Sequence, residues 1–200
     1  ADLYQSAPVA MFSVDRNLEV MMKVVDAVAY AHSMRVVNRD LKPENVMVGE
    51  YGEVIVLDWG LAISVDKHGA GLAQEAAGVA TAGQGTPVYM APEMLLGPVP
   101  EIGIWSDIYL LGAVLFEVLT GEPPHEFRPS SNLMARNAQL ARVIGGNIIR
   151  EVDQNSELLM IARKAMSTVR EARYQSVDEF QEAIRTALRH GESERLTDRA

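Results

Sequence analysis

Cysteine is absent from the 200 residues, which excludes a disulfide framework and any thiolate metal site. That absence fits a reducing compartment, and a cytoplasmic location is expected. Positive charge is scarce as well. Lys and Arg number 18 against 27 Asp and Glu, for a formal net charge of −9. An acidic chain lacks the clustered positive field that a phosphate backbone requires, so nucleic acid is excluded as a main partner. A nucleotide stays open, because backbone amides, a metal and one or two cations hold it locally. Long apolar runs are missing too. The longest, Ile108 to Leu119, contains Glu117 and is too short to cross a bilayer, so no membrane segment is expected. No basic region followed by an apolar run and a small-residue cleavage site opens the chain, and no secretory signal is expected. Internal repeats and coiled-coil heptads are absent.

What is present is enough for one domain with a substantial core. The hydrophobic fraction of 48% and the charged fraction of 22% are ordinary for a globular protein. Residues 1–16 show no clear periodicity. From Leu18, the apolar positions Met21, Met22, Val25, Val28 and Ala29 recur at helical spacing and predict one amphipathic helix to about Met34. Two β-rich runs follow, Val46–Val48 and Val54–Leu57, and Gly49 to Glu53 between them reads as a hairpin turn. From Ala62 to Gly85 the composition shifts to Gly, Ala, Ser and Thr, which predicts a functional or disordered loop. After Glu93 the chain reads as helical. Ile108 to Leu119 is apolar nearly all round, as in a central helix without a solvent face, and Gly121 and Pro123-Pro124 end it. Further helices are expected over about 156–167 and 176–189. The second opens on Ser176 with Glu179 three residues on, a capping-box pattern. The expected fold class is α+β, predominantly helical, with one small β-hairpin.

The chemistry is concentrated in Asn38-Arg39-Asp40-Leu41-Lys42-Pro43-Glu44-Asn45 and, past the hairpin, Asp58-Trp59-Gly60. Asp40, Lys42, Asn45 and Asp58 supply two carboxylates, an amide and an ammonium. Oxygen ligands of this kind suit Mg²⁺, which shares its remaining positions with waters and phosphate oxygens. A carboxylate beside such a metal can also accept a hydroxyl proton. Any one Asp or Asn beside a turn is more often a turn residue than a ligand. The whole run, split across a hairpin that brings Asn45 and Asp58 together, is not explained that way.

These residues closely resemble the catalytic loop and metal-binding motif of the protein kinase family, most like its bacterial members. The resemblance implies ATP and Mg²⁺ as cofactors and a protein substrate with a Ser or Thr acceptor. It implies Asp40 as catalytic base, Lys42 as the cation on the transferring phosphoryl group, and Asn45 and Asp58 as Mg²⁺ ligands. The string Leu41 to Asn45 looks like a serine/threonine kinase. Gly85 to Glu93 resembles the end of the activation segment, with Thr86 placed to contact Asp40 and Lys42. Asp107 resembles the buried aspartate that braces the catalytic loop, and Arg173 the late arginine that pairs with Glu93. Arg39 stands where the family can bind a phosphate on the activation segment, with Thr81, or failing that Ser64, as the acceptor. The bland alternative is an Arg39 paired with a nearby carboxylate.

The sequence departs from the family at Asn38, where histidine is usual, and at Trp59, where phenylalanine is usual. Both are expected to be spine-packing residues lying against each other. Upstream of the first helix there is no glycine-rich phosphate loop and no lysine-bearing strand, and Lys23 falls inside that helix. The resemblance therefore implies a C-terminal lobe over 18–190, with 1–17 the remnant of an upstream region and 191–200 the start of an extension or linker. On that reading the chain is a fragment lacking the N-terminal lobe. The alternative function is an inactive kinase-like lobe serving as a protein-binding module. His32, His68, His125 and His190 lack metal-ligand spacing and read as surface or loop residues.

Overall fold

A computed structural model describes residues 4–5, 13–71, 85–96, 101–128, 132–146 and 156–197. The first helix, α1 (Val14–Ser33), begins earlier than its apolar periodicity. Ser13 caps it, its hydroxyl accepting from the Arg16 amide at 3.3 Å. The apolar stripe of α1 lies against α3 (Ile104–Thr120). That helix is the axis of the fold: every residue from Ser106 to Phe116 is buried, and Gly121 ends it at φ 79°. A left-handed terminus of this kind carries no steric penalty only in glycine. The helix α5 (Glu157–Ala165) packs on α3 so closely that a Cβ on Gly112 would sit 2.6 Å from the Ala165 side chain. The last helix, α6 (Val177–Thr197), closes the core with Val177, Phe180 and Ile184. The Ser176 hydroxyl accepts from the Glu179 amide at 3.1 Å, as expected. The Glu179 carboxylate reaches back to the Gln175 amide at 2.9 Å, one residue beyond the usual box. The helix also continues to Thr197, well past residue 189.

The β-structure is larger than a hairpin. Strands β3 (Val46–Gly49) and β4 (Val54–Val56) pair antiparallel, and β1 (Tyr4–Gln5) adds to the β3 edge with Tyr4 opposite Gly49. Lys23 pins the hairpin turn to α1 by donating to the Gly52 carbonyl at 2.6 Å. A second pair joins β2 (Val36–Val37) to β5 (Ile63–Ser64). The Ala62–Gly85 stretch is therefore not all loop. Its start forms β5 and then bridges, with Val65 opposite Gly71 and Ala70 opposite Gly103. Val37, Ile63, Val65 and Ile102 make a small core of their own there. Two further helices lie in the region read as helical from about Glu93, α2 (Pro92–Leu96) and α4 (Leu133–Ile144), the latter capped by Asn132. No helix among the described residues is long and apolar enough to cross a membrane.

Two of the four histidines are not surface residues. His125 is buried, with Nε2 2.7 Å from the Tyr109 hydroxyl. The His32 side chain is 10% exposed and lies 2.9 Å from Asp107. His68 and His190 are exposed, as expected.

Candidate active site

The site forms where the loop after β2 meets the segment before α2, above the N-terminal turn of α3. Its foundation is Asp107, fully buried. Asp107 Oδ2 accepts from the Asn38 amide at 2.8 Å and Oδ1 from the Arg39 amide at 2.9 Å. His32 Nε2 is the third partner. These bonds hold Arg39 at φ 75°, a left-handed conformation that costs a non-glycine residue on the order of 1–3 kcal/mol.

From this braced turn the chain presents Asp40, 7% exposed. Lys42 Nζ donates to Asp40 Oδ2 at 2.7 Å and to the Thr86 hydroxyl at 2.8 Å. The Thr86 hydroxyl in turn donates to Asp40 Oδ1 at 3.0 Å, closing a triangle. Gly85 makes this approach possible. It adopts φ 121°, and a Cβ there would lie 3.2 Å from the Arg39 carbonyl oxygen.

The 3₁₀ turn Pro43–Asn45 sets Asn45 beneath Asp40. Asn45 Nδ2 donates to the Asp40 carbonyl at 2.8 Å and to Oδ2 at 3.2 Å, which leaves its amide oxygen as the atom with ligand chemistry. The Leu57 amide donates to the Asn45 carbonyl at 2.7 Å, so the hairpin returns the chain to Asn45 one residue before Asp58. Asp58 is exposed, at φ 57°, and its Oδ1 accepts from the Gly60 amide at 3.2 Å. A carboxylate and an amide oxygen make a hard, all-oxygen pair that fits Mg²⁺ and not a softer metal.

The segment beyond Thr86 is anchored separately. Arg173 Nη1 and Nη2 donate to Glu93 Oε1 and Oε2 at 2.7 and 2.9 Å, a bidentate fork. Further donation to the Trp105 and Ser167 carbonyls and the Ser106 hydroxyl on Glu93 complete the cluster. The hydroxyl of Tyr89 donates to Glu117 at 2.6 Å. Burial pushes the Glu117 carboxyl up, against the opposing pull of that hydroxyl, and Glu44 raises it further.

The structure brings several of the expected residues together. Asp40, Lys42, Asn45 and Thr86 meet directly, Asp58 stands beside them, Asp107 lies beneath, and Arg173 pairs with Glu93. Thr81 lies outside the described residues. Arg39 forms no ion pair among the described residues. Its Nη1 donates to the Leu61 carbonyl at 3.2 Å, while Nε and Nη2 are buried without partners among the described residues. Burial holds its guanidinium below the ordinary arginine range, with Asp107 pulling it back.

The spine-packing expectation for Asn38 and Trp59 is corrected. Asn38 is fully buried but polar in role, bonded to the Asp40 amide and the Asp58 carbonyl. Trp59 is 37% exposed, its indole N–H donating to Val56. His32 was missed, although its spacing from Val25 and Val28 continues the buried stripe of α1.

The structure thus joins a buried aspartate bracing the loop after β2, a closed Asp–Lys–Thr triangle, and a carboxylate and an amide oxygen on either side of a hairpin. The protein kinase domain model matches residues 2–200, and the chain belongs to that family. Its relatives include bacterial serine/threonine kinases. It is 36% identical to the serine/threonine-protein kinase PknD of Chlamydia muridarum, over 92% of this chain and 21% of that protein. Identity to PknD of Protochlamydia amoebophila is 37%, over 88% of this chain and 19% of the relative. To the probable serine/threonine-protein kinase PknB of Bifidobacterium longum it is 33%, over 86% and 24%. The chain thus spans roughly a fifth of the length of these relatives.

Proposed function

We propose that these residues form the helical, substrate-binding lobe of a serine/threonine protein kinase, spanning 18–190, and that the protein transfers the γ-phosphoryl group of ATP to Ser or Thr hydroxyls of a protein. The observation that carries this reading is the Asp40–Lys42–Thr86 triangle. It holds a carboxylate in one orientation while an ammonium sits beside it. In the proposed reaction Asp40 accepts the proton of the substrate hydroxyl as its oxygen bonds to the γ-phosphorus and the bond from that phosphorus to the ADP oxygen breaks, releasing ADP. Lys42 offsets negative charge on the phosphoryl oxygens. Thr86, on the segment that would carry the peptide, reports the arrival of that segment to both. Asn45 and Asp58 would hold Mg²⁺, which would supply positive charge to offset that of the phosphates.

Arg39 supports a regulatory part of the same reading. A buried guanidinium with two nitrogens unpartnered among the described residues offers donors suited to phosphate oxygens, and Thr81 is the proposed acceptor. A Thr81→Ala chain with unchanged ordering of the segment would end that assignment.

Calorimetry with Mg²⁺-ATP on this chain is the direct test, with Asp58→Ala alongside. Binding that disappears in the variant is expected. A chain that unfolds cooperatively yet binds no nucleotide would favour the protein-binding module instead.

A further inference from the structure

Asn38 differs from the residue the family usually places before Arg39, and its bonds are those of neither a spine residue nor a filler. Its side chain is fully buried. Oδ1 accepts from the Asp40 amide at 2.9 Å, and Nδ2 donates to the Asp58 carbonyl at 3.4 Å. The first partner is a donor and the second an acceptor, so only one orientation of the amide satisfies both. The first bond closes a two-residue Asx turn around Arg39, the residue held at φ 75°. The second, longer bond reaches Asp58, the other left-handed residue of the site, at φ 57°. One side chain therefore touches the backbone on both sides of the hairpin, at the proposed base and at the proposed metal ligand.

We propose that Asn38 is a positioning residue that sets the distance between Asp40 and Asp58. Its catalytic consequence rests on the kinase reading above; the two bonds themselves do not. Asp107 braces the catalytic loop from below through the Asn38 and Arg39 amides, whereas Asn38 spans that loop and the Asp58 turn. Serine at this position retains a short acceptor that can close the same local turn, yet is too short to reach Asp58. Alanine retains neither.

The two bonds separate in nuclear magnetic resonance of the nucleotide-free chain. In Asn38→Ala, hydrogen exchange of the Asp40 amide should accelerate about three- to tenfold, the equivalent of one ordinary hydrogen bond. In Asn38→Ser it should stay near the unsubstituted rate. The Asp58 carbonyl carbon should shift in both variants, and Mg²⁺-ATP affinity should fall in both. A merely structural side chain would not give this split. Equal Asp40 protection in Asn38→Ala, or an unmoved Asp58 carbonyl in Asn38→Ser, would overturn the proposal. Absence of Mg²⁺-ATP binding by the unsubstituted chain would count against the kinase reading alone, because the resonance readouts decide the two bonds without nucleotide.

Discussion

The catalytic-loop side of the site and its Asp58 side are built differently. Asn38, Arg39 and Asp40 are buried, and their backbone amides are held by Asp107 and by Asn38 itself. Asp58, Trp59 and Gly60 are all exposed, and the Asp58 carboxylate accepts from the Gly60 amide. Charge is handled in opposite ways as a result. A buried carboxylate such as Asp107 must be saturated with donors, because desolvation is expensive. An exposed one stays solvated and keeps its lone pairs for a cation. The side that positions atoms is interior; the side proposed to hold the metal is open.

The sharpest way to break this contrast is Asp107→Ala. The change leaves two backbone N–H groups buried and unsatisfied and releases the left-handed turn at Arg39. A loss of about 3–5 kcal/mol in urea unfolding is expected. A loss below about 1 kcal/mol would show that the loop keeps its shape without the brace.

Next in size is Arg173→Lys. Lysine keeps the charge but cannot fork onto both Glu93 oxygens while donating to Trp105 and Ser167. About 2–3 kcal/mol should be lost by the same measurement. An unaffected midpoint would mean that the ion pair contributes nothing beyond its replacement by ammonium.

On the open side the expectation reverses. Asp58→Asn should change stability by no more than about 0.5 kcal/mol, since the residue is exposed and asparagine tolerates the left-handed backbone. Mg²⁺-ATP affinity should nevertheless fall, because a ligand charge is gone. Stability lost without affinity lost would exchange the roles assigned to the two sides.

The braced side was the more legible in the sequence. Asp40, Lys42 and Asn45 lie within one short string, and Thr86, Asp107 and Arg173 follow in family order. Elements whose stability comes from distant partners were harder to read. Tyr4–Gln5 is too short for any period and becomes a strand only against β3. The start of the Gly- and Ala-rich stretch becomes β-structure only because Val37 and Ile102 cover Ile63 and Val65. The polar burials of His32, Asn38 and His125 depend on partners at Asp107, Asp58 and Tyr109 that no local pattern announces. Asn38 was the costliest of these, because a small polar residue in a packing position looks like a neutral exchange until its two partners are seen.

The smallest effect concerns the half-buried pair beside the site, where interior and solvent meet. Burial raises the Glu117 carboxyl above the ordinary carboxylate range, the Tyr89 hydroxyl opposes this, and Glu44 adds to it. A raised carboxyl binds more protons in the folded than in the unfolded state across the interval between the two values. Its contribution to stability is therefore full below the ordinary range and is lost as pH rises through the folded value. Tyr89 is raised too, by burial first and then by Glu117, so its own loss begins only above the ordinary tyrosine range. The two windows do not overlap, and Glu117 can be read alone. In Glu117→Gln, the fall in stability as pH rises above the ordinary carboxylate range should flatten relative to the unsubstituted chain, as followed by urea midpoints at a series of pH values. The amide also keeps an acceptor for the Tyr89 hydroxyl, so the hydrogen bond survives and the difference in slope isolates the charge. Parallel slopes would mean that Glu117 is solvated well enough to titrate as an ordinary surface carboxylate, which would move the boundary between the two sides of the site inward, past α3.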